Sequence, residues 1–349
     1  MAFRLTRLSD LHAAGFDSVI DVRSPSEFAE DRVPGAISLP VLTDAERARV
    51  GTIYVQESPF LARKIGAALV ARNAALHIEG PLAERDGGWR PLVYCWRGGQ
   101  RSGSFATILG QIGWRVEVLE GGYQSYRRLV VTRLYEDPVP SQVILLDGNT
   151  GTAKTDILAA LRGLGVQVID LEGLANHRGS ALGGRGLQPG QKAFESALAA
   201  EIDTLDPARP VVVEAESSKI GRLNLPPRLF AAMKAAPRIE IRAPLEARAA
   251  YLTRAYADLV GDRAALEARL DRLVRLQGRE RVSDWKALAA GGRHRELAED
   301  LIRAHYDPRY RKVRERIGSG EITTLETAAL RPEDIARLAG EIAGWLSAR

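Results

Sequence analysis

Compact apolar runs recur along the chain, separated by longer stretches in which apolar and polar positions mix. SVIDV (18–22), AISLP (36–40), PLVYCW (91–96) and RVEVLEG (115–121) are short, apolar and bounded by turn residues, which predicts strands. Between the second and third of these, residues 44–75 read as mostly helical. Glycine and proline punctuate the joints, as in RVPGA and LEGGY. A second series follows, with strands predicted at VILLD (143–147), VQVIDL (166–171), PVVVEA (210–215) and RIEIRA (238–243). One helix is expected after Lys154 and another over 191–205. From Pro244 to about Arg316 the pattern is mainly helical, and 332–348 suggests a closing helix. Strands alternating with helices imply parallel sheets, so the expected fold class is α/β in both halves. PVPSQ (138–142) reads as a linker and divides the chain into a first domain over 1–137 and a second over 138–349.

Composition narrows the picture. The 349 residues are 45% hydrophobic and 27% charged, which is ordinary globular usage and excludes disordered, collagen-like and disulfide-stapled classes. Cys95 is the single cysteine, so no internal disulfide and no cysteine-rich metal site exists, and a reducing compartment is expected. The opening MAFRLTRLSD has no signal-peptide core and no run is apolar enough to span a bilayer. A cytoplasmic protein without a membrane partner is therefore expected. Charge is unevenly spread. Residues 1–140 carry 17 basic and 16 acidic groups, whereas 262–316 carry 15 and 10, as much net charge as the whole chain's +5. That segment lies in the helical, basic part over 244–316. A solvated helical face explains it most simply, and a polyanion such as RNA is the functional alternative, with Arg272, Arg275 and Arg279 as candidate contacts.

Cys95 ends an apolar strand and opens the loop Trp96, Arg97, Gly98, Gly99, Gln100, Arg101 and Ser102. A strand, a glycine-containing loop and a helix let backbone N–H groups converge on one point. A cysteine there feels the positive helix end and two arginines, which lowers its thiol pKa and makes a thiolate nucleophile available. A buried structural cysteine is the usual fate of a lone Cys. Two arginines and two glycines within six residues argue for the reactive alternative.

A second chemical loop comprises Gly148, Asn149, Thr150, Gly151, Thr152, Ala153, Lys154 and Thr155, directly after VILLD and before DILAALRGL. This is the context a Walker A phosphate loop requires. Its amides cradle phosphate, Lys154 reaches the outer oxygens, and Thr155 can ligate Mg²⁺. Ala153 stands where the pattern has its second glycine, and alanine suits the backbone there if residue 153 takes right-handed helical dihedrals. Glu214 ends the strand where a Walker B-type acid would sit. Two polar, glycine-bearing segments follow strands: 171–184 with Glu172, His177, Arg178 and Ser180, and 214–226 with Glu216, Ser217, Lys219 and Arg222. Loops at the carboxyl ends of parallel strands surround ligands, which makes these residues substrate-loop candidates.

These motifs carry resemblances. DVRSPSEFAEDRVPGAISLP (21–40) is similar to the N-terminal signature of rhodanese domains, and Cys95 matches the position on which they carry sulfur or selenium. The C-x5-R spacing from Cys95 to Arg101 is longer than the usual rhodanese loop and resembles those of cysteine phosphatases. CWRGGQRS, GNTGTAKT, LEGLANHRGS and ESSKIGRLNLP together resemble the bacterial tRNA 2-selenouridine synthase family across nearly the full chain. The resemblance implies a transferase acting on tRNA, with selenophosphate and geranyl diphosphate as substrates and no tightly bound cofactor. Wobble 2-thiouridine would be S-geranylated and the geranylthio group then replaced by selenium carried on Cys95. The competing reading is a rhodanese-type sulfurtransferase or cysteine phosphatase with an attached P-loop NTPase or kinase.

Overall fold

In the computed structural model, residues 2–178, 183, 184, 186–314 and 322–348 are described. Their contacts divide into two units: residues 1–137 with 190–204, and residues 138–189 with 205–349.

The first unit is a five-stranded parallel sheet. Its strands are β1 (Ala2–Phe3), β2 (Ser18–Asp21), β3 (Ile37–Ser38), β4 (Pro91–Tyr94) and β5 (Glu117–Leu119), in the order β1-β5-β4-β2-β3. Every residue of β4 is buried, as a central strand covered on both faces requires. Ile20, Val22, Val93 and Phe105 form one core with Leu69 and Val70 of the helix Pro59–Glu79. The region expected to be helical over 44–75 is two helices, Asp44–Gln56 and Pro59–Glu79, each started by a side-chain cap from Thr43 or Ser58.

The helix Gln191–Asp203 belongs to this first unit, although its place in the sequence lies well beyond the 137/138 boundary. Polar bonds explain why it sits there. The Ser196 hydroxyl donates to Asp31 at 2.9 Å, and Glu195 accepts from the Tyr135 hydroxyl at 2.8 Å and from Arg127. These carboxylates are buried, so removing their partners would strand charge in a poorly solvated place.

The second unit holds β6 (Val143–Gly148), β7 (Gln167–Ile169), β8 (Val211–Glu214), the hairpin β9 (Lys219–Ile220) and β10 (Leu223–Asn224), then β11 (Arg238–Arg242) and β12 (Ile322–Glu326). Its main sheet is parallel in the order β12-β11-β6-β8-β7. Ile144, Leu146, Ile239 and Ile241 pack against the helices Lys154–Gly163 and Pro332–Ser347. The helical region after Leu245 has its own core, in which Trp285 is fully buried and donates to Asp300 at 2.6 Å. Among the described residues no helix is long and apolar enough to cross a membrane.

Candidate functional site

In the first unit, Cys95 follows β4, the middle strand of the sheet, and the helix Gln100–Ile112 begins five residues later. Gly98 turns the chain at φ +66°, and a Cβ there would lie 2.6 Å from the Leu119 carbonyl. Gly122 closes the loop from the other side: a Cβ on it would meet the Cys95 carbonyl at 2.3 Å. That close approach lets the Tyr123 amide bond the Cys95 carbonyl at 2.8 Å.

The thiol is buried, and the Ser102 hydroxyl lies 3.1 Å from Sγ. Burial alone would push the thiol up. Hydrogen bonds from the Ser102 hydroxyl and from the Ser102 and Arg97 amides, with the Arg101 charge, outweigh it and leave the pKa below the ordinary thiol value. The two arginines differ in role. Arg101 pairs at 2.8 Å with Glu27 of the helix Pro25–Glu30, so its charge is partly spent on a carboxylate outside the loop. The Arg97 side chain is exposed and its contribution at the thiol is its amide. Glu27 was legible only as part of a helix start. Burial would raise its pKa, but Arg101 holds it below the usual carboxylate range. Beneath the loop, Arg23 is bidentate on Asp21 and stacks 4.0 Å over Tyr123, while the Tyr94 hydroxyl donates to Asp21 at 2.8 Å.

In the second unit, the phosphate loop leaves the C-terminal end of β6, again the middle strand, and Lys154 begins the next helix. Ala153 takes φ +59° and ψ +28°, the left-handed conformation rather than the right-handed one under which alanine was expected to fit. Such a conformation strains any residue with a Cβ by roughly 1–2 kcal/mol. Here the residue is buried within the apolar core of the unit, so surrounding packing holds it. Arg248 secures the same loop, donating from Nε to the Thr150 carbonyl at 2.9 Å while its guanidinium is bidentate on Asp307.

The loop opens into a cavity of about 660 Å³. Glu172, His177, Arg178, Glu216 and Ser217 line it with Lys154 and Thr155. Lys219 and Arg222 do not, since they belong to the β9–β10 hairpin, where Arg222 bonds Gln188. Glu214 is buried behind the wall and accepts the Glu172 amide. Ser180 lies outside the described residues. Arg178 pairs with Asp258 at 2.9 Å and stacks on Tyr256 at 4.4 Å.

Lys154 donates to the Gly148 carbonyl at 2.8 Å and lies 5.3 Å above the Tyr310 ring. Burial would lower its pKa, but Tyr310, Glu172 and Glu216 raise it, so the ammonium stays charged. Burial and Glu172 push Glu216 up to about 8. At neutral pH it is therefore mostly a neutral acid, hydrogen-bonded to Glu172, whose own pKa burial also raises. Burial, then Glu172, Asp170 and Glu216, drive Glu214 well above the carboxylate range. The Thr155 hydroxyl donates to Glu172 at 3.3 Å. No three His, Cys, Asp or Glu side chains converge as metal ligands among the described residues. A Mg²⁺ ion at Thr155 would accordingly draw most ligands from phosphate oxygens and water.

Much of the remaining lining escaped sequence reasoning. Arg238, Arg254, Arg309 and Tyr310 reach the cavity from β11 and the later helices. No local motif marks them, because they converge only through the helical packing. Arg272, Arg275 and Arg279 are exposed, and none of their side chains pairs with a described residue. Asp271, next to Arg272 in the chain, pairs with Lys286 at 2.6 Å.

Comparison with known proteins places these features. Residues 5–129 match the rhodanese-like domain family, and 141–274 match the tRNA 2-selenouridine synthase AAA domain family. A protein of Pseudomonas syringae pv. syringae named tRNA 2-selenouridine synthase is 33% identical over 88% of this chain and 92% of its own length. Proteins of the same name from Psychromonas ingrahamii and Bdellovibrio bacteriovorus are 36% and 38% identical, the matches covering 70% and 66% of this chain. The chain spans 66% and 62% of the length of those two relatives.

Proposed function

The chain belongs to the tRNA 2-selenouridine synthase family, and from that premise we propose that it converts wobble 2-thiouridine of tRNA to 2-selenouridine in two transfers, one served by each loop. In the first, the thiocarbonyl sulfur attacks C1 of geranyl diphosphate. The C1–O bond breaks, its electron pair leaves with the diphosphate, and the base loses a proton. The phosphate-loop amides and Lys154 stabilise the charge that grows on the leaving diphosphate. The mostly neutral Glu216 favours that anion by keeping a second carboxylate charge out of the cavity.

In the second transfer, selenium replaces the geranylthio group at C2 of the base. The Cys95 thiolate adds at C2 and expels the geranylthiolate. The selenium of selenophosphate, its oxyanion cradled by the loop from Trp96 to Ser102, then displaces the Cys95 sulfur, and water takes the phosphoryl group as inorganic phosphate, so no oxidant or reductant is needed. The observation that carries this reading is the Cys95 thiol itself. It is buried at a strand end yet held below its ordinary pKa by Ser102 and the loop amides. A structural cysteine in an apolar core would be pushed the other way.

The decisive experiment incubates thiolated tRNA with the protein, geranyl diphosphate and selenophosphate, and reads the nucleosides by mass. The expected products are S-geranyl-2-thiouridine and 2-selenouridine. Unchanged 2-thiouridine alongside hydrolysis of ATP or of a phosphate ester would assign the chain to an NTPase or phosphatase instead.

A further inference from the structure

His305 lies on the wall of the phosphate-loop cavity, and the two transfers leave it without a role. It is 1% exposed and belongs to a π-helical turn, Ile302–Tyr306, whose last residue lines the same wall. Such turns are rare and collect at functional sites. The turn is also tied to the phosphate loop. Asp307 follows it directly and takes both arms of Arg248, whose Nε donates to the Thr150 carbonyl. His305 therefore sits two residues from a bridge that ends on the loop.

Hydrogen bonds fix the state of the ring. Gln277 Nε2 donates to the Ala304 carbonyl at 3.3 Å, and Gln277 Oε1 accepts from Arg281 at 3.3 Å. A carbonyl only accepts and a guanidinium only donates, so the side-chain amide has one orientation. The same Nε2 lies 3.2 Å from Nδ1 of His305, which must accept from it. The proton of the neutral ring is then on Nε2. Burial, and after it the charge of Arg309 one turn on, push the imidazole down to about 4, while Tyr306, edge-on at 5.0 Å, brings no charge. Among the described residues nothing accepts from the Nε2–H group. A buried donor without an acceptor is costly, which leaves the acceptor to come from the ligand.

We propose, on the diphosphate reading of the phosphate loop, that His305 binds the ligand as an uncharged donor from Nε2 to a phosphate oxygen, and that Gln277 sets it as that donor. It fixes one oxygen in direction without adding charge to a wall that already carries Lys154, Arg178 and Arg309.

Calorimetric titration of the full chain with inorganic diphosphate tests this. His305→Phe keeps a ring and removes the donor, and should weaken binding about ten-fold or more. His305→Gln returns an amide N–H near the place of Nε2 and should bind within about three-fold of the unaltered protein. Gln277→Glu decides the matter even where His305→Phe does not fold. Its carboxylate only accepts, so the neutral ring must move its proton to Nδ1 and turn a lone pair toward the ligand. Near pH 8 this variant should bind about ten-fold or more weaker than the unaltered protein. As pH falls the ring takes a second proton, Nε2–H returns, and the ratio of the two affinities should rise toward one. Taking that ratio at each pH cancels the titration of diphosphate itself. With His305→Phe added to Gln277→Glu, the recovery should disappear. A ratio that does not change with pH, or His305→Phe binding as tightly as the unaltered protein, overturns the role of His305 alone. If inorganic diphosphate does not bind the unaltered protein, or binds equally well to Lys154→Ala, the phosphate-loop reading falls and this role with it.

Discussion

Cys95 and the phosphate loop each leave the C-terminal end of the middle strand of a five-stranded parallel sheet, β4 in one unit and β6 in the other, and each runs into a helix. What surrounds them differs. Around Cys95 everything is close. Gly98 and Gly122 admit backbone at distances no Cβ would tolerate, and the nearest hydroxyl, Ser102, is spent on the thiol. The phosphate loop instead faces about 660 Å³ of space walled by cations, tyrosines and a hydrogen-bonded carboxyl pair. A tight amide nest suits one small oxyanion beside a nucleophile. An open, mixed cavity suits a larger ligand whose charge changes during reaction. The same topology thus supports two chemistries, and the surroundings decide which.

Removing the nucleophile should give the largest contrast. Cys95→Ser is expected to bring selenium incorporation down to the level without enzyme, because a serine hydroxyl is not ionised near neutral pH and cannot add at C2 as the thiolate does. Geranylation should persist, since it is assigned to the other loop. Nucleoside masses read both at once, and undiminished 2-selenouridine would break the division of labour. Cys95 is also the only cysteine, so alkylation of the unaltered protein reports one thiol. Its pKa is depressed, so the thiolate persists as pH falls until that depressed value is passed. Half-maximal alkylation should therefore come below the ordinary value of about 8.5. A midpoint at or above it would mean that burial prevails.

The two loops were not equally legible in sequence. Both announced themselves through local pattern: a strand, glycines, a cationic or nucleophilic side chain and a helix. That signal is local because backbone geometry is set within a few residues. Part of the cavity wall was legible, since Glu172, His177, Arg178, Glu216 and Ser217 sit in polar loops after strands; the rest was not, because Arg238, Arg309 and Tyr310 arrive from sequence positions about 90 to 155 residues away and carry no motif. Apart from β12, whose Ile322–Glu326 is mostly polar and carries no apolar run, the main strands of both sheets followed from their apolar runs. The two-residue β1 and the hairpin β9–β10 did not, because so few residues leave no periodicity to read. The helix Gln191–Asp203 was predicted as a helix, but its membership of the first unit was not, because it depends on the pairing of Ser196 and Glu195 with distant residues.

Lys154→Ala sharpens the comparison from the other side. Geranyl transfer should fall by roughly 10²–10³-fold, the usual effect of removing a group that stabilises developing negative charge. Selenium transfer to tRNA already geranylated by the unaltered enzyme should be nearly unaffected. Equal loss in both assays would mean that the loops do not act separately. Retained geranyl transfer with lost ATP binding would return the phosphate loop to nucleotide chemistry.

The exposed arginines should have a smaller effect, and one shared by both transfers. Arg272, Arg275 and Arg279 pair with no described residue, so their charge is available to a polyanion. Reversing all three to glutamate should weaken tRNA binding roughly ten-fold or more at low salt and reduce the slope of log affinity against log salt by about 2–3. Filter binding at several salt concentrations measures both quantities. Inorganic diphosphate should bind as before. Unchanged affinity and slope would make this face an ordinary solvated one.

The smallest effect is expected at the position where the two loops are most alike. Gly98 and Ala153 both occupy the left-handed region, at φ +66° and +59°. Glycine is required at the first, where a Cβ would press on a carbonyl, whereas the second holds an alanine within the apolar core. Ala153→Gly would relieve roughly 1–2 kcal/mol of backbone strain. Against that stand about 0.8 kcal/mol for a buried methyl group and roughly 0.4–1 kcal/mol from the greater freedom of glycine in the unfolded chain. The contributions nearly cancel, so the thermal midpoint should move by no more than about 4 °C. Diphosphate affinity should also hold within about three-fold, because RT ln 3 is comparable to the residual of that balance. A gain of ten-fold or more would show that the Ala153 methyl group crowds the phosphate rather than the core. The departure from the glycine of the usual pattern would then tune ligand affinity, instead of being a substitution the surrounding packing simply accommodates.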